Sequence, residues 1–232
     1  LDRADMTGCN SCPVPMEPRF KLSKVSFAQP VDTTEFRSIV GMLHYLIHTR
    51  PDLKFSVGFV SRFMEAPTME HLEEVKHILR YIAGTLNWGV HYSHGAVDAP
   101  LIGYSDSDLG GCIDMRRSTT GLMFFFGSNL VSWQSKKQSI VTLSSCEAEY
   151  VAATTTACQG VWLARLLSEI KVEAVRSVVL NMDNKSAMSL CKNPVFHERS
   201  KRIDIKYHYI RECVENGQIQ IKFVRSEEQM AD

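Results

Sequence analysis

The chain has 232 residues, 44% of them hydrophobic, and its 26 basic side chains balance its 26 acidic ones. This length and apolar content allow one large domain or two small ones with packed cores. Net charge gives no sign of a nucleic-acid partner, so any basic surface must be local. No run is long and apolar enough to span a bilayer, and no signal peptide is visible.

The seven cysteines have no regular spacing, which in a chain of this length indicates reduced thiols. We therefore expect an intracellular protein that is not secreted. The chain begins at Leu1 instead of a methionine, so we also expect a fragment or a processed piece. Residues 1–31 are rich in proline and charge without periodicity, and we expect an irregular lead-in there.

Three helical patterns follow, and together they predict a small all-helical segment at residues 32–95. Asp32 and Glu35 form a capping pair at the start of the first pattern. Pro51 stands where the first turn of the second helix tolerates proline, and Gly84 ends the third. The apolar stripes of the three patterns are Phe36, Ile39, Val40, Leu43 and Ile47, then Leu53, Val57, Val60 and Met64, then Leu72, Val75, Leu79 and Ile82.

Residues 100–232 change to a pattern of strands and helices, which predicts a second domain of the α/β class. Gly127-Ser128-Asn129 joins two strands as a hairpin. A long helix then connects the hairpin to a fourth strand as a crossover. The predicted elements are strands at 101–106, 121–126 and 130–134, a helix at 146–170, a strand at 178–183, helices at 185–192 and 204–214, and a strand at 218–224.

Carboxylates stand at the ends of several of these elements. Asp106 and Asp183 end two strands, Glu149 begins the long helix, and Asp232 is the last residue. If the two strands are parallel neighbours, both aspartates emerge at one edge of the sheet, where open α/β sheets place their sites. Ligands that are all oxygen favour Mg²⁺ or Mn²⁺ over zinc. The four acids therefore predict a divalent-metal site, and two such ions would suit phosphodiester hydrolysis.

The long helix offers two glutamates, and only one can face this site. Glu147 and Glu149 project about 200° apart around a helix axis. The face of Glu149 carries small and then large apolar residues, namely Ala153, Thr156, Gly160, Leu163, Leu167 and Ile170. The face of Glu147 reads as more solvated, with Val151, Thr154, Cys158, Arg165 and Glu169. We therefore predict that Glu149 is the inward carboxylate.

Each acid also has a plain structural alternative that stays open. Asp106-Ser107-Asp108 is compatible with a turn, and Asp183-Asn184 with a helix cap. A calcium-binding loop that starts at Asp106 is rejected, because Arg117 stands where such a loop needs a bidentate glutamate.

Residues 103–232 resemble the ribonuclease H domain of copia-type retrotransposon polyproteins. Residues 35–92 resemble the segment that such polyproteins carry between the palm of reverse transcriptase and ribonuclease H. The matching motifs of the first region are GYSDSD at 103–108, STTG at 118–121, VSWQSKKQ at 131–138, SSCEAEY at 144–150, DIKYH at 204–208 and EQMAD at 228–232. Those of the second are FRSIVG at 36–41 and TRPD at 49–52.

The resemblance implies a ribonuclease H-like fold, with a five-stranded mixed sheet flanked by helices and preceded by the small all-helical segment. It places the family's metal-binding and catalytic acids on Asp106, Glu149, Asp183 and Asp232, with two Mg²⁺ (or Mn²⁺) ions. The implied activity is endonucleolytic hydrolysis of RNA in RNA–DNA hybrids during reverse transcription. The paired aspartates of a polymerase site are absent from the sequence, so no DNA synthesis is expected.

The same resemblance implies partners and a place in the cell. The expected partners are an RNA–DNA hybrid and the upstream reverse-transcriptase palm of the parent polyprotein, with no membrane and no small-molecule cofactor. The expected location is a cytoplasmic particle or the nucleus.

Two departures from the family favour an alternative function, in which a catalytically decayed fragment serves as a spacer or nucleic-acid-binding module. Leu109 stands where the family usually has tryptophan, which should alter packing beside the site. Arg202 stands where histidine is common, which should affect substrate handling. The chain also stops at Asp232, before the family's final helix, so we expect Asp232 to be the least fixed of the four acids.

Basic residues near the site are candidates for contacts with nucleic-acid phosphates. Lys136 and Lys137 are predicted to form one small patch. A second group of candidates consists of Arg199, Lys201, Arg202 and Lys206. For this group, an equal alternative is that the residues form the solvent-exposed start of a helix without contacting nucleic acid.

Overall fold

A computed structural model describes residues 1–18, 20–95, 99–171, 177–192 and 205–231. The chain divides into two units, Leu1–Val90 and His91–Asp232, and each unit has its own core of buried apolar side chains. No helix in the described ranges has the length and hydropathy needed to cross a membrane.

The first unit is built from three α-helices, as predicted. They are α1 (Thr33–Leu46), α2 (Lys54–Val60) and α3 (Met69–Gly84). Asp32 caps α1, because its carboxylate accepts hydrogen bonds from the backbone N–H groups of Thr34 and Glu35. The whole apolar stripe predicted for α1 is buried, so the helical period locates this core correctly.

A partly buried ion pair, in which Arg50 is buried and Asp52 is not, ties the turn before α2 to the end of α3. The guanidinium of Arg50 binds the Asp52 carboxylate at 2.7 Å and donates to the carbonyl and hydroxyl oxygens of Thr85 at 2.9 and 2.8 Å. The Tyr81 hydroxyl donates to Asp52 at 2.9 Å. Every strong polar group in this cluster thus has a partner, which offsets the cost of burying charge. The TRPD motif at 49–52 therefore has a structural role in the first unit.

The second unit contains a five-stranded mixed sheet flanked by helices, so the predicted ribonuclease H-like architecture is confirmed. The strands are β1 (Leu101–Ser107), β2 (Thr119–Phe126), β3 (Asn129–Lys137), β4 (Val178–Met182) and β5 (Ile219–Phe223). Their order across the sheet is β3-β2-β1-β4-β5. The pairs β1–β2 and β2–β3 are antiparallel, whereas β1–β4 and β4–β5 are parallel.

The hairpin between β2 and β3 is tighter than predicted. Asn129 pairs with Phe126, so the turn consists of Gly127 and Ser128 alone. Gly127 has φ of 60°, a value that glycine adopts at low cost and that suits the twist of a two-residue hairpin. The predicted three-residue loop is therefore wrong by one residue, and β3 continues three residues past the predicted end.

Helix α4 (Ser145–Lys171) packs on the sheet through the predicted stripe of small residues. Thr156 donates a hydrogen bond from Oγ1 to Ser105 Oγ in β1 at 3.1 Å. A Cβ on Gly160 would lie 3.2 Å from the Phe124 ring and 3.3 Å from Val178. Small side chains at these positions let the helix axis approach the sheet closely. Ile170, at the end of the same stripe, is exposed instead of packed.

The opposite face of α4 is buried over its first half, which corrects the expectation of a solvated face. Val151 and Thr154 are buried, and Thr154 Oγ1 donates to the carbonyl oxygen of Tyr207 at 2.8 Å. The covering layer consists of a 3₁₀ turn at Ile205–His208 with the helices α5 (Lys185–Lys192) and α6 (Tyr209–Glu215). The predicted solvated residues Cys158, Arg165 and Glu169 are exposed farther along the helix.

Replacement of Gly160 by leucine should overpack the contact between α4 and the sheet. The new side chain would meet Phe124 and Val178, and overpacking of this kind costs about 1–3 kcal/mol. We expect a lower midpoint of thermal unfolding for Gly160→Leu, measured by circular dichroism. Gly41→Leu in α1 is the control, because a Cβ at Gly41 meets nothing within 4 Å. An unchanged midpoint for Gly160→Leu would count against this packing.

Candidate functional site

Three of the four predicted acids meet at one edge of the sheet. The strands β1 and β4 are parallel neighbours in which Tyr104 pairs with Asn181, and Asp106 and Asp183 each lie two residues farther along. Glu149 reaches the same place from the first turns of α4. One ligand oxygen from each of the three carboxylates lies within 4.8 Å of the others. Asp232, the fourth predicted acid, lies outside the described residues.

Glu149 is the most buried of the three acids, with 5% of its surface exposed. Its Oε1 accepts a hydrogen bond from the backbone N–H of Ser107 at 3.1 Å. Its Oε2 is buried, and no hydrogen-bond donor of the described ranges reaches it. Burial and then the negative charges of Asp106 and Asp183 raise the pKa of Glu149 to about 9.

These features fit a divalent cation. An oxygen atom without a donor, inside a cluster of carboxylates that repel one another, is stabilised when a positive charge enters. The donor set contains only carboxylate oxygens, which hard cations such as Mg²⁺ and Mn²⁺ prefer over sulfur or nitrogen ligands.

The neighbouring acids have separate structural roles. Glu147 accepts a hydrogen bond at Oε2 from the backbone N–H of Leu143 at 2.8 Å, so it caps the start of α4. The choice of Glu149 as the inward carboxylate is therefore confirmed. Asp108 accepts from the backbone N–H of Thr119 and fixes the loop after β1. Leu109, the first departure from the family, exposes 55% of its surface.

The last described residues run across the strands that carry the site, a contact that the periodic patterns do not reveal. Ser226 donates from Oγ to Asp183 Oδ2 at 2.9 Å. Gln229 donates from Nε2 to the carbonyl oxygen of Ser105 at 3.0 Å. We call residues 226–231 the C-terminal strap. The EQMAD motif was the one sequence signal for this contact, and it did not identify Ser226.

A glycine gives the strap its space. Gly121 in β2 is the register partner of Asp106 in β1. A Cβ at Gly121 would lie only 2.2 Å from the carbonyl oxygen of Ala231. Only a residue without a side chain permits this approach, so Ala231 lies directly beside the strand pair that carries Asp106.

The predicted lysine patch does not form as a single surface. Lys136 and Lys137 are consecutive residues of β3, and consecutive strand residues project to opposite faces of a sheet. Lys136 is exposed, while the Lys137 ammonium lies 3.2 Å from the sulfur of Met115. Three of the other predicted basic residues and one side chain lie outside the described part of the chain. These are Arg199, Lys201 and Arg202, and the side chain of Lys206.

Comparison with known proteins gives relatives along the whole chain, although no family model matches it. The chain is 43% identical over all 232 residues to the retrovirus-related Pol polyprotein from transposon RE1 of Arabidopsis thaliana, and it spans 16% of that polyprotein. It is 40% identical over 162 residues to an uncharacterized mitochondrial protein of Arabidopsis thaliana. That match covers 70% of this chain and 67% of the relative.

A solved structure similar to the chain is that of RNase H1 from the halophilic archaeon Halobacterium salinarum. The two share 14% sequence identity, with a TM-score of 0.40. The match covers 57% of this chain and 90% of that chain.

The raised pKa of Glu149 predicts that the metal-free chain loses stability as the pH rises. Its folded-state pKa of about 9 exceeds the ordinary value of 4.5, so the folded chain binds this proton more tightly than the unfolded chain does. The resulting stabilisation is complete below about pH 4.5 and is lost as the pH rises through about 9. In a chelator, we expect the unfolding midpoint to fall over this range more steeply than in Glu149→Gln, whose amide does not titrate. Equal pH slopes would contradict the assignment.

Gly121→Ala should displace the C-terminal strap and leave the sheet intact. The added methyl group would overlap the Ala231 backbone. Gly121 itself is paired with strands on both sides, so the strap should move instead of the strand. Loss of one or two hydrogen bonds, at about 1 kcal/mol each, should speed amide hydrogen exchange in residues 229–231 by about tenfold.

Gly95→Ala is the matched control for this measurement. A Cβ at Gly95 meets only the Asn129 side-chain nitrogen, at 3.9 Å. Unchanged exchange of the strap in Gly121→Ala would show that the close approach does not hold it.

Proposed function

This chain belongs to the copia-type, retrovirus-related Pol polyproteins of transposons, and from this family and its acid cluster we propose that it is a metal-dependent ribonuclease H. The reaction is endonucleolytic hydrolysis of the RNA strand in an RNA–DNA hybrid during reverse transcription. The observation that carries the proposal is the convergence of Asp106, Glu149 and Asp183 within 4.8 Å. The buried, donor-free Oε2 of Glu149 supports it further.

Asp106, Glu149 and Asp183 would hold the metal, with Asp232 as the proposed fourth ligand. Two divalent cations, Mg²⁺ or Mn²⁺, would supply an activated water and stabilise the leaving 3′ oxygen of an in-line displacement. The ribonuclease H-like sheet supports this proposal, because its parallel strands β1 and β4 end at the edge where these acids lie.

The chain itself supplies orientation and proton control. The N–H of Ser107 holds one oxygen of Glu149, and the other oxygen is buried without a donor among the described residues, which leaves it available for a cation. The Ser226 hydroxyl orients the Asp183 carboxylate in the same way. Since the pKa of Glu149 is about 9 in the absence of a cation, this carboxyl group is protonated at neutral pH. It must release that proton when it becomes a ligand.

Recognition of the substrate would rest on the shape of the hybrid, its backbone and its minor-groove 2′-hydroxyl groups, with little preference for base sequence. Lys136 is exposed on β3 and available for a phosphate. We propose the same role for Arg199, Lys201, Arg202 and Lys206.

The chain spans only 16% of the length of the RE1 polyprotein that it matches. We propose that residues 100–232 are the ribonuclease H domain of a polyprotein of this kind. Residues 32–95 would be the connection that follows the reverse-transcriptase palm. The proposed site of action is a cytoplasmic particle or the nucleus, where reverse transcription would supply the hybrid.

Cleavage of a labelled RNA–DNA hybrid, beside an RNA duplex and a DNA duplex, tests the proposal. We expect Mg²⁺-dependent cleavage of the hybrid alone. Asp106→Asn, Glu149→Gln and Asp183→Asn should each lower the rate by at least about a hundredfold, because an amide cannot replace a bridging carboxylate. Glu147→Gln is the control and should stay near wild type. Ca²⁺ should fail to replace Mg²⁺, since it is larger and accepts a looser geometry.

Two outcomes would contradict the proposal that the chain is a metal-dependent ribonuclease H. Robust cleavage in Ca²⁺ alone would reject this metal mechanism. Binding of the hybrid without cleavage, in both Mg²⁺ and Mn²⁺, would favour the decayed nucleic-acid-binding module.

A further inference from the structure

Gln138 occupies a buried position between β3 and α4, at the end of the motif at 131–138. Only 5% of its surface is exposed. Its backbone N–H donates to the carbonyl oxygen of Ser118 at 2.8 Å, which fixes the start of the side chain. A glutamine side chain is rarely buried this completely unless its amide group has hydrogen-bond partners.

The side-chain nitrogen of Gln138 reaches three oxygen atoms on three different elements. Nε2 lies 3.1 Å from Ser107 Oγ at the end of β1 and 3.1 Å from Thr120 Oγ1 in β2. It lies 2.9 Å from the carbonyl oxygen of Ala148 in α4. An amide nitrogen carries two hydrogens, so the three acceptors share them.

Each acceptor stands next to a part of the acid cluster. Ser107 follows Asp106, and its own backbone N–H binds Glu149 Oε1. Ala148 precedes Glu149 in α4. Thr120 is the register partner of Ser107 across the β1–β2 pair. Gln138 therefore connects the strand end that carries Asp106 to the helical turn that carries Glu149.

A connection of this kind opposes the repulsion within the site. Asp106, Glu149 and Asp183 are three carboxyl groups within 4.8 Å. When all three are ionised, as they must be to bind a cation, their mutual repulsion favours separation of β1 from α4. The side-chain oxygen of Gln138 is buried without a hydrogen-bond donor in the described ranges. A side chain selected for stability alone would not leave this atom unpaired, because an apolar side chain of the same shape avoids that cost.

We infer that Gln138 is a positioning residue, which holds Asp106 and Glu149 at the spacing that a divalent cation requires. The inference rests on the proposed function. Gln138 touches neither the cation nor the substrate and acts through Ser107 and Ala148. Groups that orient metal ligands in this way typically change metal affinity by about 10–100-fold when they are replaced.

Gln138→Met tests the inference in the full 232-residue chain, since methionine keeps the length of the side chain and removes the amide. We expect the dissociation constant for Mg²⁺, measured by calorimetry, to rise by at least about tenfold. With hybrid cleavage, the Mg²⁺ concentration for half-maximal rate should rise in parallel. The KM for the hybrid should stay within about twofold, because Gln138 does not contact the substrate.

A second measurement follows the contact itself. The amide hydrogen of Ser107 binds Glu149 Oε1, so its exchange rate reports whether Glu149 stays in place. We expect faster exchange of this amide in Gln138→Met than in wild type. Gln134→Met is the matched control, because Gln134 is an exposed glutamine four residues earlier on β3. That variant should leave the affinity, the KM and the exchange rate unchanged.

Thr120→Val keeps the test valid if Gln138→Met does not fold. It removes one acceptor of Gln138 and preserves side-chain volume, so we expect a rise of about threefold in the Mg²⁺ dissociation constant. If Gln138→Met does fold, it can be combined with Thr120→Val. The effects of the two changes on the Mg²⁺ dissociation constant should then be less than additive, because both remove the same contact.

The outcomes separate this inference from the proposed function. If wild type binds Mg²⁺ and cleaves the hybrid, but Gln138→Met lowers only the unfolding midpoint and keeps wild-type Mg²⁺ affinity, Gln138 is a stabilising residue and the inference fails alone. If Gln138→Met does not fold and Thr120→Val keeps wild-type Mg²⁺ affinity, the inference also fails. If wild type binds no Mg²⁺ and cleaves no hybrid, the proposed function and the inference both fail.

Discussion

Repulsion among three carboxyl groups at one sheet edge is the constraint on which the second unit depends. Asp106, Glu149 and Asp183 lie within 4.8 Å of one another, and Glu149 is almost fully removed from water. When all three are ionised, these groups favour separation of the elements that carry them. The fold must therefore hold two parallel strands and a helix together at this edge by contacts made elsewhere.

Close approach between elements provides those contacts. Gly160 brings α4 against Phe124, and Gly121 admits the backbone of the C-terminal strap beside β1. Ser105 joins the two arrangements: its hydroxyl accepts from Thr156 of α4, and its carbonyl oxygen accepts from Gln229 of the strap. Hydrogen bonds in a buried setting favour one spacing over others, because a small shift leaves polar groups unpaired. The residue before Asp106 is thus fixed from both sides.

The helices, the strands and the inward position of Glu149 could be predicted from the sequence, because each depends on the spacing of apolar residues over a short stretch of chain. The apolar stripe of α1 and the contrast between Glu149 and Glu147 are visible in steps of three and four residues. The meeting of Asp106 with Asp183 needed the further assumption that β1 and β4 are parallel neighbours. The burial of Val151 and Thr154 was not predicted. The apolar stripe indicates the face of α4 that packs on the sheet, and it does not reveal that α5 and α6 cover the opposite face. Ser226 and Gln138 were missed because a polar contact between distant segments leaves no periodic signal.

Protonation, metal binding and stability of the site form one linked equilibrium under the proposed function. A pKa of about 9 means that Glu149 is neutral in the metal-free chain near pH 7, so cation binding must release its proton. The contacts that hold the carboxyl groups together also keep this pKa high, since they keep Glu149 buried and prevent Asp106 and Asp183 from moving away from it. These contacts therefore have two opposite effects on the affinity for a cation. They lower it, because the cation must displace a tightly bound proton from Glu149, and they raise it, because the ligands need no rearrangement. A looser site would have a lower pKa for Glu149 but would have to order its ligands during binding. The buried polar contacts around Ser105 and Gln138 favour the ordered solution, in which the geometry exists before the cation arrives.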